Sequence, residues 1–529
     1  MTKNNQLNDF VSELAQKNIK NSEQFLNLKK KLISQTKIQP PNNTTILSIY
    51  RELKEKENLS PNYYFEKKLK KRPIRSLSGV AVVSVLTSPR PFGTEQSLSC
   101  PHHCLYCPTE KGIPKSYLSG EPAVERAKKL SFDPFWQVKK RIEVLAKNGH
   151  PTDKIELIVI GGTWSYLPTK YQTWFIKRCF DGANRKVSKN LNQAQKLNEK
   201  GEHRIIGITL ETRPDYINAQ EIKKMRELGC TRVELGVQNI DDKILKQNQR
   251  GHSINETIKA TELLKDTGFK VCYHIMPGMF GATVKKDLIM FKKLFSLPNF
   301  QPDMLKIYPC VVTKGSPLYK LWQNKKYRPY QNQQLIKLLT QIKSTIPPYV
   351  RITRIIRDIP SSKIESGSRI SNLREVIQKE MKKSGLSCRC LRCREIKDIK
   401  FKIGNIKLKK ITYSASGGQE IFLSFENKNK LLAFLRLRLP QRFRSPFSAL
   451  NGAALIRELH TYGEMVPIGQ KKKVAQHIGL GKKLILEAEK LARQAGYKKI
   501  AVISGVGVRN YYRRIGYQLR QTYLIKNVK

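Results

Sequence analysis

The chain has 529 residues, with 99 Lys and Arg against 42 Asp and Glu and a formal net charge of +57. That length exceeds what one ordinary hydrophobic core serves, so two or three domains are expected. So large an excess points to a polyanionic partner, nucleic acid before a membrane surface, although a generally lysine-rich proteome would also raise the charge. The start, MTKNNQLNDF, has no apolar signal core, and apolar runs such as residues 80–83 are far too short to span a bilayer. Six of the ten cysteines fall in two tight groups, which suits metal ligation in a reducing cytosol better than disulfides. A cytoplasmic protein is therefore expected.

Residues 1–75 read as a small basic helical segment, a candidate nucleic-acid contact, with apolar residues at helical spacing (Phe10, Leu14; Phe25, Leu28, Leu32; Ile46, Ile49, Leu53) and a break at Pro40-Pro41. The run Lys67, Lys68, Lys70, Lys71, Arg72 and Arg75 is either a solvated face or a phosphate contact. From 76 to 365 short β-branched runs at 80–86, 155–160, 205–210, 232–237, 270–276, 304–308 and 350–356 alternate with helical patterns, and the polar stretch 185–203 precedes the third run. This alternation predicts βαβ units and a parallel sheet, open or closed into a barrel.

The unusual residues follow the ends of these strands. They are the cysteines of 100–107, then Gly161-Gly162-Thr163, Glu211-Thr212-Arg213-Pro214-Asp215, Gly236-Val237-Gln238, Met276-Pro277-Gly278 and Lys306-Ile307-Tyr308-Pro309. Carboxyl ends of parallel strands are where α/β barrels gather an active site. Lys306, Tyr308 and Gln238 are candidates to orient a substrate, Lys306 as a catalytic group, with a structural ion pair as the alternative.

Cys100-x3-Cys104-x2-Cys107 places three thiolates on one loop, enough for three irons of a 4Fe-4S cluster with the fourth iron left open to S-adenosylmethionine. A zinc knuckle completed by His102 or His103 is the alternative. Gly161, Gly162 and Thr163 are small enough to let backbone approach the methionine end. The second group, Cys388-x-Cys390-x2-Cys393, lies among arginines in a linker at 366–404 and suggests structural zinc, with reduced thiols as the alternative; no His or Cys follows at the usual spacing to supply a fourth ligand.

Residues 405–529 change to a separate α+β pattern, with strands at 407–413, 420–425, 431–437, 454–459 and 500–503. Gln476, Gly479 and Gly481 form a Gly-rich turn opening a helix to about Gln494, where free N–H groups and the helix dipole would hold a phosphate. Followed by Tyr511 and Tyr512, one expected to pack and the other to reach a thioester, this order resembles a GCN5-related N-acetyltransferase domain binding coenzyme A. The expected fold is thus α/β, a radical SAM partial (βα) barrel followed by an α+β acetyltransferase domain.

Over residues 70–529 the chain is similar to the catalytic subunit of Elongator in its single-chain archaeal or bacterial form. The similarity rests on Gly120-Glu121-Pro122, Asp153-Lys154, Gly161-Gly162-Thr163, Glu211 and the four residues after it, Gly229 and the stretch to Gln238, Asn248-x-Arg250-Gly251-His252, Arg357-Asp358-Ile359-Pro360, the residues from Arg457 to His460, and 503–517. It implies radical S-adenosylmethionine chemistry in which acetyl-CoA supplies a carboxymethyl group to C5 of the wobble uridine of tRNA. It also implies acetyl-CoA contacts at Lys154, Glu458, Leu459, His460, Thr461, Leu480, Gly481, Lys482 and Tyr512. Accessory subunits are not expected to be required, and the electron donor is unassigned. A protein acetyltransferase, or a non-catalytic RNA-binding protein with a structural cluster, are the rival classes.

Overall fold

A computed structural model of the chain describes residues 3–17, 19, 21–56, 62–70, 78–94, 97–396, 405–441, 445–463 and 479–528. Lys71, Arg72, Arg75 and Gln476, and the end of the linker at 397–404, lie outside the described residues.

Helices Lys3–Gln16, Ser22–Thr36, Asn43–Lys56 and Tyr63–Leu69 form the amino-terminal segment. Asn21 starts the second by accepting from Gln24 N at 2.8 Å. Phe10, Leu14, Phe25, Leu32, Ile46 and Leu53 meet in its core with Tyr50 and Phe65, as their spacing predicts, while Leu28 and Ile49 are only partly buried. Arg51 donates to Ala146 O at 2.8 Å, which seats this bundle on the helix Pro134–Lys147.

All seven expected strands form: β1 (Ala81–Leu86), β2 (Lys154–Ile160), β3 (Arg204–Thr212), β4 (Cys230–Gln238), β5 (Lys270–Ile275), β6 (Met304–Ile307) and β7 (Arg351–Arg354). They pair in sequence order and in parallel, and the ladder ends at β1 and β7, so the barrel is open. Apolar residues alternate along each strand: in β2, Ile155, Leu157 and Val159 are buried against the outer helices, while Glu156, Ile158 and Ile160 face inward on the period-2 pleat. The polar stretch 185–203 contains the helix Leu191–Asn198. No helix of the described residues is long and apolar enough to cross a membrane.

The second sheet holds β8 (Lys407–Ala415), β9 (Gly418–Asn427), β10 (Lys430–Pro440), β11 (Ala453–Thr461), β12 (Lys499–Val502), β13 (Gln518–Arg520) and β14 (Tyr523–Asn527), in the order β13-β14-β12-β11-β10-β9-β8. Only β11 and β12 are parallel neighbours. They pair from Ala453 to Ile456 and from Lys499 to Val502, after which β11 runs on without β12. The gap that opens there lies beside the start of the helix Leu480–Gln494. The sequence reading had no counterpart for β13 and β14, which are short and largely polar at their exposed end.

The two sheets are joined by a buried ionic layer. Arg457 pairs with Asp303, on the approach to β6, and with Glu420. Arg438 joins Glu420 and Asp266, Arg436 joins Glu458 at 2.8 Å and reaches Tyr349 O at 2.7 Å, and Lys265 sits between Asp303 and Glu420. Four cations face four anions, so each charge of this layer has a counterpart within it. A Cβ on Gly505 would run into the carbonyl oxygen of Ile206 in β3, so the second sheet and barrel touch backbone to backbone. Arg509 and Arg513 reach across to Glu199, at the end of the helix in the polar stretch.

Candidate functional site

One cavity of about 1270 Å³ occupies the barrel interior and continues into the second sheet. Its wall is the inward face of the strands: Ser84, Glu156, Gly207, Glu211, Arg232, Glu234, Lys270, His274, Lys306 and Arg351 all line it. The carboxyl-end rim contributes Cys100, Cys107, Gly162, Thr163, Gln238 and Tyr308; the opposite end contributes Glu458, Leu459, His460, Thr461, Gly479, Gly481, Lys482, Tyr511 and Tyr512. The residues expected at two separate sites therefore share one cavity.

At the rim the cysteine loop turns back under Thr163. Thr163 donates through Oγ1 to Cys100 Sγ at 3.3 Å and through its backbone N–H to Ser99 O at 2.8 Å. Gly161 and Gly162 have φ of +134° and +103°, and a Cβ on either would collide with Thr87 or with the Ser99 carbonyl. These glycines are required by the chain's own packing, whatever binds beside them. Cys104 is buried; a hydrogen bond from Cys107 and the nearby Arg250 hold its thiol well below the usual range, against the opposing effect of burial. Three thiols on one loop, with the Arg250 guanidinium beside Cys104 and Cys107 and the Thr163 hydroxyl on Cys100, are a donor set fit for a 4Fe-4S cluster. The Tyr106 hydroxyl is buried there without a hydrogen-bond partner.

Midway along the barrel, residues from four strands form one network. Lys306 contacts Glu234 and lies 3.1 Å from Glu211. His274 Nε2 is 3.0 Å from Glu234, and the Tyr117 hydroxyl donates to Glu211 at 3.1 Å. Burial opposes ionisation of Glu234, but Lys306, His274 and Arg232 outweigh it and hold its carboxyl well below the ordinary range. Burial likewise opposes the charge on Lys306, but Glu234, Tyr308 and Glu211 push its pKa up, so the ammonium stays protonated. Lys306 thus has the ion pair of the alternative reading; it can orient a ligand oxygen but is no proton acceptor. Glu211, Glu234 and His274 could by spacing hold a cation, and the Lys306 ammonium is in contact with two of them. Gln238 has φ +68° at the end of β4, and its buried Oε1 has no partner. A strained residue offering an orphan acceptor to a cavity is a place for a ligand N–H or O–H.

At the other end Gly479, with φ +76°, caps the helix Leu480–Gln494. A Cβ on Gly481 would sit 3.6 Å from the Tyr511 hydroxyl and 3.7 Å from Thr461 Cγ2, so a methyl fits and anything longer fills the gap between β11 and the helix. Tyr512 is buried against Tyr511 and Tyr517, and Tyr511 is the more open of the pair. The Glu458 side chain is held by Arg436, and His460 Nε2 meets Ser78 O at 2.7 Å, so both are tied to structure as well as lining the cavity. Lys154 starts β2 and is not among the cavity-lining residues.

The thiols of Cys388, Cys390 and Cys393 lie within 4.8 Å of one another. Tetrahedral zinc with bonds of about 2.3 Å asks for sulfurs somewhat under 4 Å apart, a small adjustment. Lys343 Nζ and Arg374 Nη1 are buried without hydrogen-bond partners, and burial together with Arg392 lowers the Arg374 pKa to about 10. Arg374 is opposed in this by the three cysteines, whose thiolates would stabilise its charge. Among the described residues no His, Asp or Glu joins the three as a fourth ligand.

Sequence reasoning missed Glu234, His274 and the contact between Arg250 and Cys104. A signal existed for the first two, since a charged or imidazole side chain at alternate positions of an otherwise apolar strand marks an inward polar face.

Residues 96–292 match the Radical SAM superfamily and 302–383 the Radical_SAM C-terminal domain. The chain is 47% identical over 506 residues to the tRNA uridine(34) acetyltransferase of Methanocaldococcus infernus, covering 92% of each protein. It is 40% identical over 484 residues to human (Homo sapiens) Elongator complex protein 3, covering 87% of this chain and 86% of that protein. The solved structure of the archaeal M. infernus Elp3 lacking residues 1–46 superposes with a TM-score of 0.74 at 45% identity, over 85% of this chain and 99% of that one.

Proposed function

The chain belongs to the family of tRNA uridine(34) acetyltransferases and Elongator complex protein 3, and from that membership we propose that it modifies the wobble uridine of tRNA, installing a carboxymethyl group on C5 from acetyl-CoA. The observation that carries this reading is the single cavity joining the cysteine loop to the glycine turn of the second sheet, because a radical made at one end has to reach an acetyl group held at the other. The radical SAM match implies a 4Fe-4S cluster and S-adenosylmethionine. When bound, the cluster and S-adenosylmethionine would supply one-electron radical chemistry able to activate the acetyl methyl.

The chain's own residues bind, orient and exclude water. Cys100, Cys104 and Cys107 hold the cluster, with Gly161, Gly162 and Thr163 beside the methionine end. The backbone N–H groups after Gly479 take the coenzyme A phosphates, with Gly481 leaving room and Leu480 and Lys482 flanking them. Tyr511, the more open of the two tyrosines, is nearer to thioester contact, and Tyr512 supports it. Lys306, kept charged by Glu234 and Glu211, and Gln238, with its free acceptor, orient the uracil ring, which has to leave the anticodon stack to reach groups inside the barrel. The four segments 1–75, 76–365, 366–404 and 405–529 act as tRNA contact, barrel, zinc-bearing linker and acetyl-CoA domain. Cys388, Cys390 and Cys393 hold zinc, the fourth ligand being unassigned. The net charge of +57 suits tRNA as substrate in the cytoplasm, without a need for accessory subunits.

The test is anaerobic reconstitution followed by reaction with tRNA, S-adenosylmethionine, acetyl-CoA and a chemical reductant, with mass spectrometry of the digested nucleosides. Carboxymethyl-uridine together with 5'-deoxyadenosine is the expected result. Acetyllysine on protein with unmodified tRNA would replace this reading by a conventional acetyltransferase.

A further inference from the structure

The Asn248-x-Arg250-Gly251-His252 segment is a sequence motif that the reaction leaves without a role, and the fold lays it directly over the cysteine loop. Leu105 N donates to Asn248 O at 3.2 Å, and the Asn248 side chain is itself fixed by Ile244 O and Phe280 O, both at 2.8 Å. Gly251 has φ +70°, and a Cβ there would come within 2.8 Å of His102 Nδ1, so the two loops touch closely enough to need glycine. Arg213, paired with Asp215, pins the segment from below by donating to Arg250 O at 2.7 Å and Gly251 O at 3.0 Å.

Arg250, between these anchors, is buried. Two of its nitrogens, Nε and Nη2, donate to Gly236 O, and the third, Nη1, lies 3.7 Å from Cys104 Sγ. Among the described residues no carboxylate pairs with it, in contrast to Arg213. A guanidinium buried without a counter-ion is costly, so its charge has to be balanced by something nearby. Among the described residues the groups that favour its charge are those of the cysteine loop, Tyr106, Cys104 and Cys107, and Thr163 directs a second side-chain donor at a different sulfur of that loop, that of Cys100.

We infer that Arg250, seconded by Thr163, sets the reduction potential of the cluster held by this loop, acting on electron uptake as a positioning residue that touches no substrate. A 4Fe-4S core with three thiolates carries net negative charge that grows by one on reduction, and both a fixed cation and hydrogen bonds to sulfur favour the more negative state. The two donors raise the potential, and their loss makes the cluster harder to reduce. This inference rests on the cysteine loop holding such a cluster.

The experiment uses the full chain, reconstituted with iron and sulfide in the absence of S-adenosylmethionine, and reads the midpoint potential by redox titration followed by electron paramagnetic resonance. Arg250→Gln, which removes the charge, should lower the equilibrium constant for reduction about tenfold, equivalent to 59 mV for one electron. Thr163→Val, which removes one hydroxyl donor, should shift it in the same direction by about threefold, and the double variant should add the two because they address different sulfurs. If Arg250→Gln takes up no cluster, Arg250→Lys decides: it keeps the charge but cannot serve Gly236 O and Cys104 together, and a shift of about threefold is expected. An intact cluster with the wild-type potential in Arg250→Gln, or in Arg250→Lys where Gln fails, overturns the inference alone. A wild-type chain that takes up no iron overturns the underlying cluster assignment, and the inference with it.

Discussion

Replacing Asp303 by Asn should separate the barrel from the second sheet energetically while changing a single atom's chemistry. Asp303 accepts from Arg457 through both oxygens, from Val271 N at 2.8 Å, and faces Lys265 and Arg436 at 3.6 Å. The amide keeps one acceptor but loses the charge, leaving Lys265, Arg436, Arg438 and Arg457 to share Asp266, Glu420 and Glu458. Breaking a buried ionic group in this way costs about 3–5 kcal/mol, a large part of a net stability of about 5–15 kcal/mol. For a chain of this size, unfolding with about 2.1 cal/mol/K per residue, that corresponds to a fall in Tm of about 3–5 °C. The measurement is calorimetric melting of wild type and Asp303→Asn at neutral pH, with Glu13→Gln, in an exposed pair with Lys17, as the substitution expected to change little. Burial opposes ionisation of Asp303, yet Arg457, Lys265 and Arg436 hold its carboxyl down to about 2. A depressed carboxyl contributes its stability fully above the unfolded value of about 3.9 and loses it as the pH falls toward the folded one. The gap between the two proteins should therefore be constant from neutral pH to about 4 and narrow below it. A variant melting within about 1 °C of wild type at pH 7 would refute the claim that this layer holds the two sheets together.

Cys104→Ser should abolish cluster absorbance and 5'-deoxyadenosine formation while acetyl-CoA binding persists; an intact iron signal would contradict the three-thiolate assignment. Gly481→Glu places bulk and negative charge in the gap beside Tyr511 and Thr461, and calorimetry should show acetyl-CoA binding at least about 100-fold weaker with tRNA binding retained. Normal carboxymethyl-uridine formation by that variant would remove the second sheet as donor site. Tyr512→Phe, by contrast, loses one hydroxyl and should cost less than about tenfold in rate. Affinity for tRNA should fall about 1000-fold between roughly 50 and 200 mM salt, and a salt-independent isotherm would argue against phosphate contacts as its source.

Local pattern in the sequence determined much of this protein. Alternating apolar runs were sufficient to locate all seven barrel strands, since a strand buried against helices must present apolar residues every second position, and the helix after Gly479 was announced by its glycine turn. The rim motifs were legible for the same reason: carboxyl ends of parallel strands converge whatever lies between them. The short final strands, β13 and β14, were not, because three and five residues carry too little periodicity to separate from a loop. The tertiary structure alone decided what depends on residues far apart in the chain. Lys306 is an ion-paired ammonium only because Glu234 and Glu211 arrive from other strands, and Lys154, singled out by resemblance, lies off the cavity wall. The order of the two domains along the chain could not disclose that their sites share one cavity. That follows from the ionic layer around Asp303 and Arg457, whose members come from residues 265 to 458 and acquire their partners, and their charges, only when the two sheets close on each other.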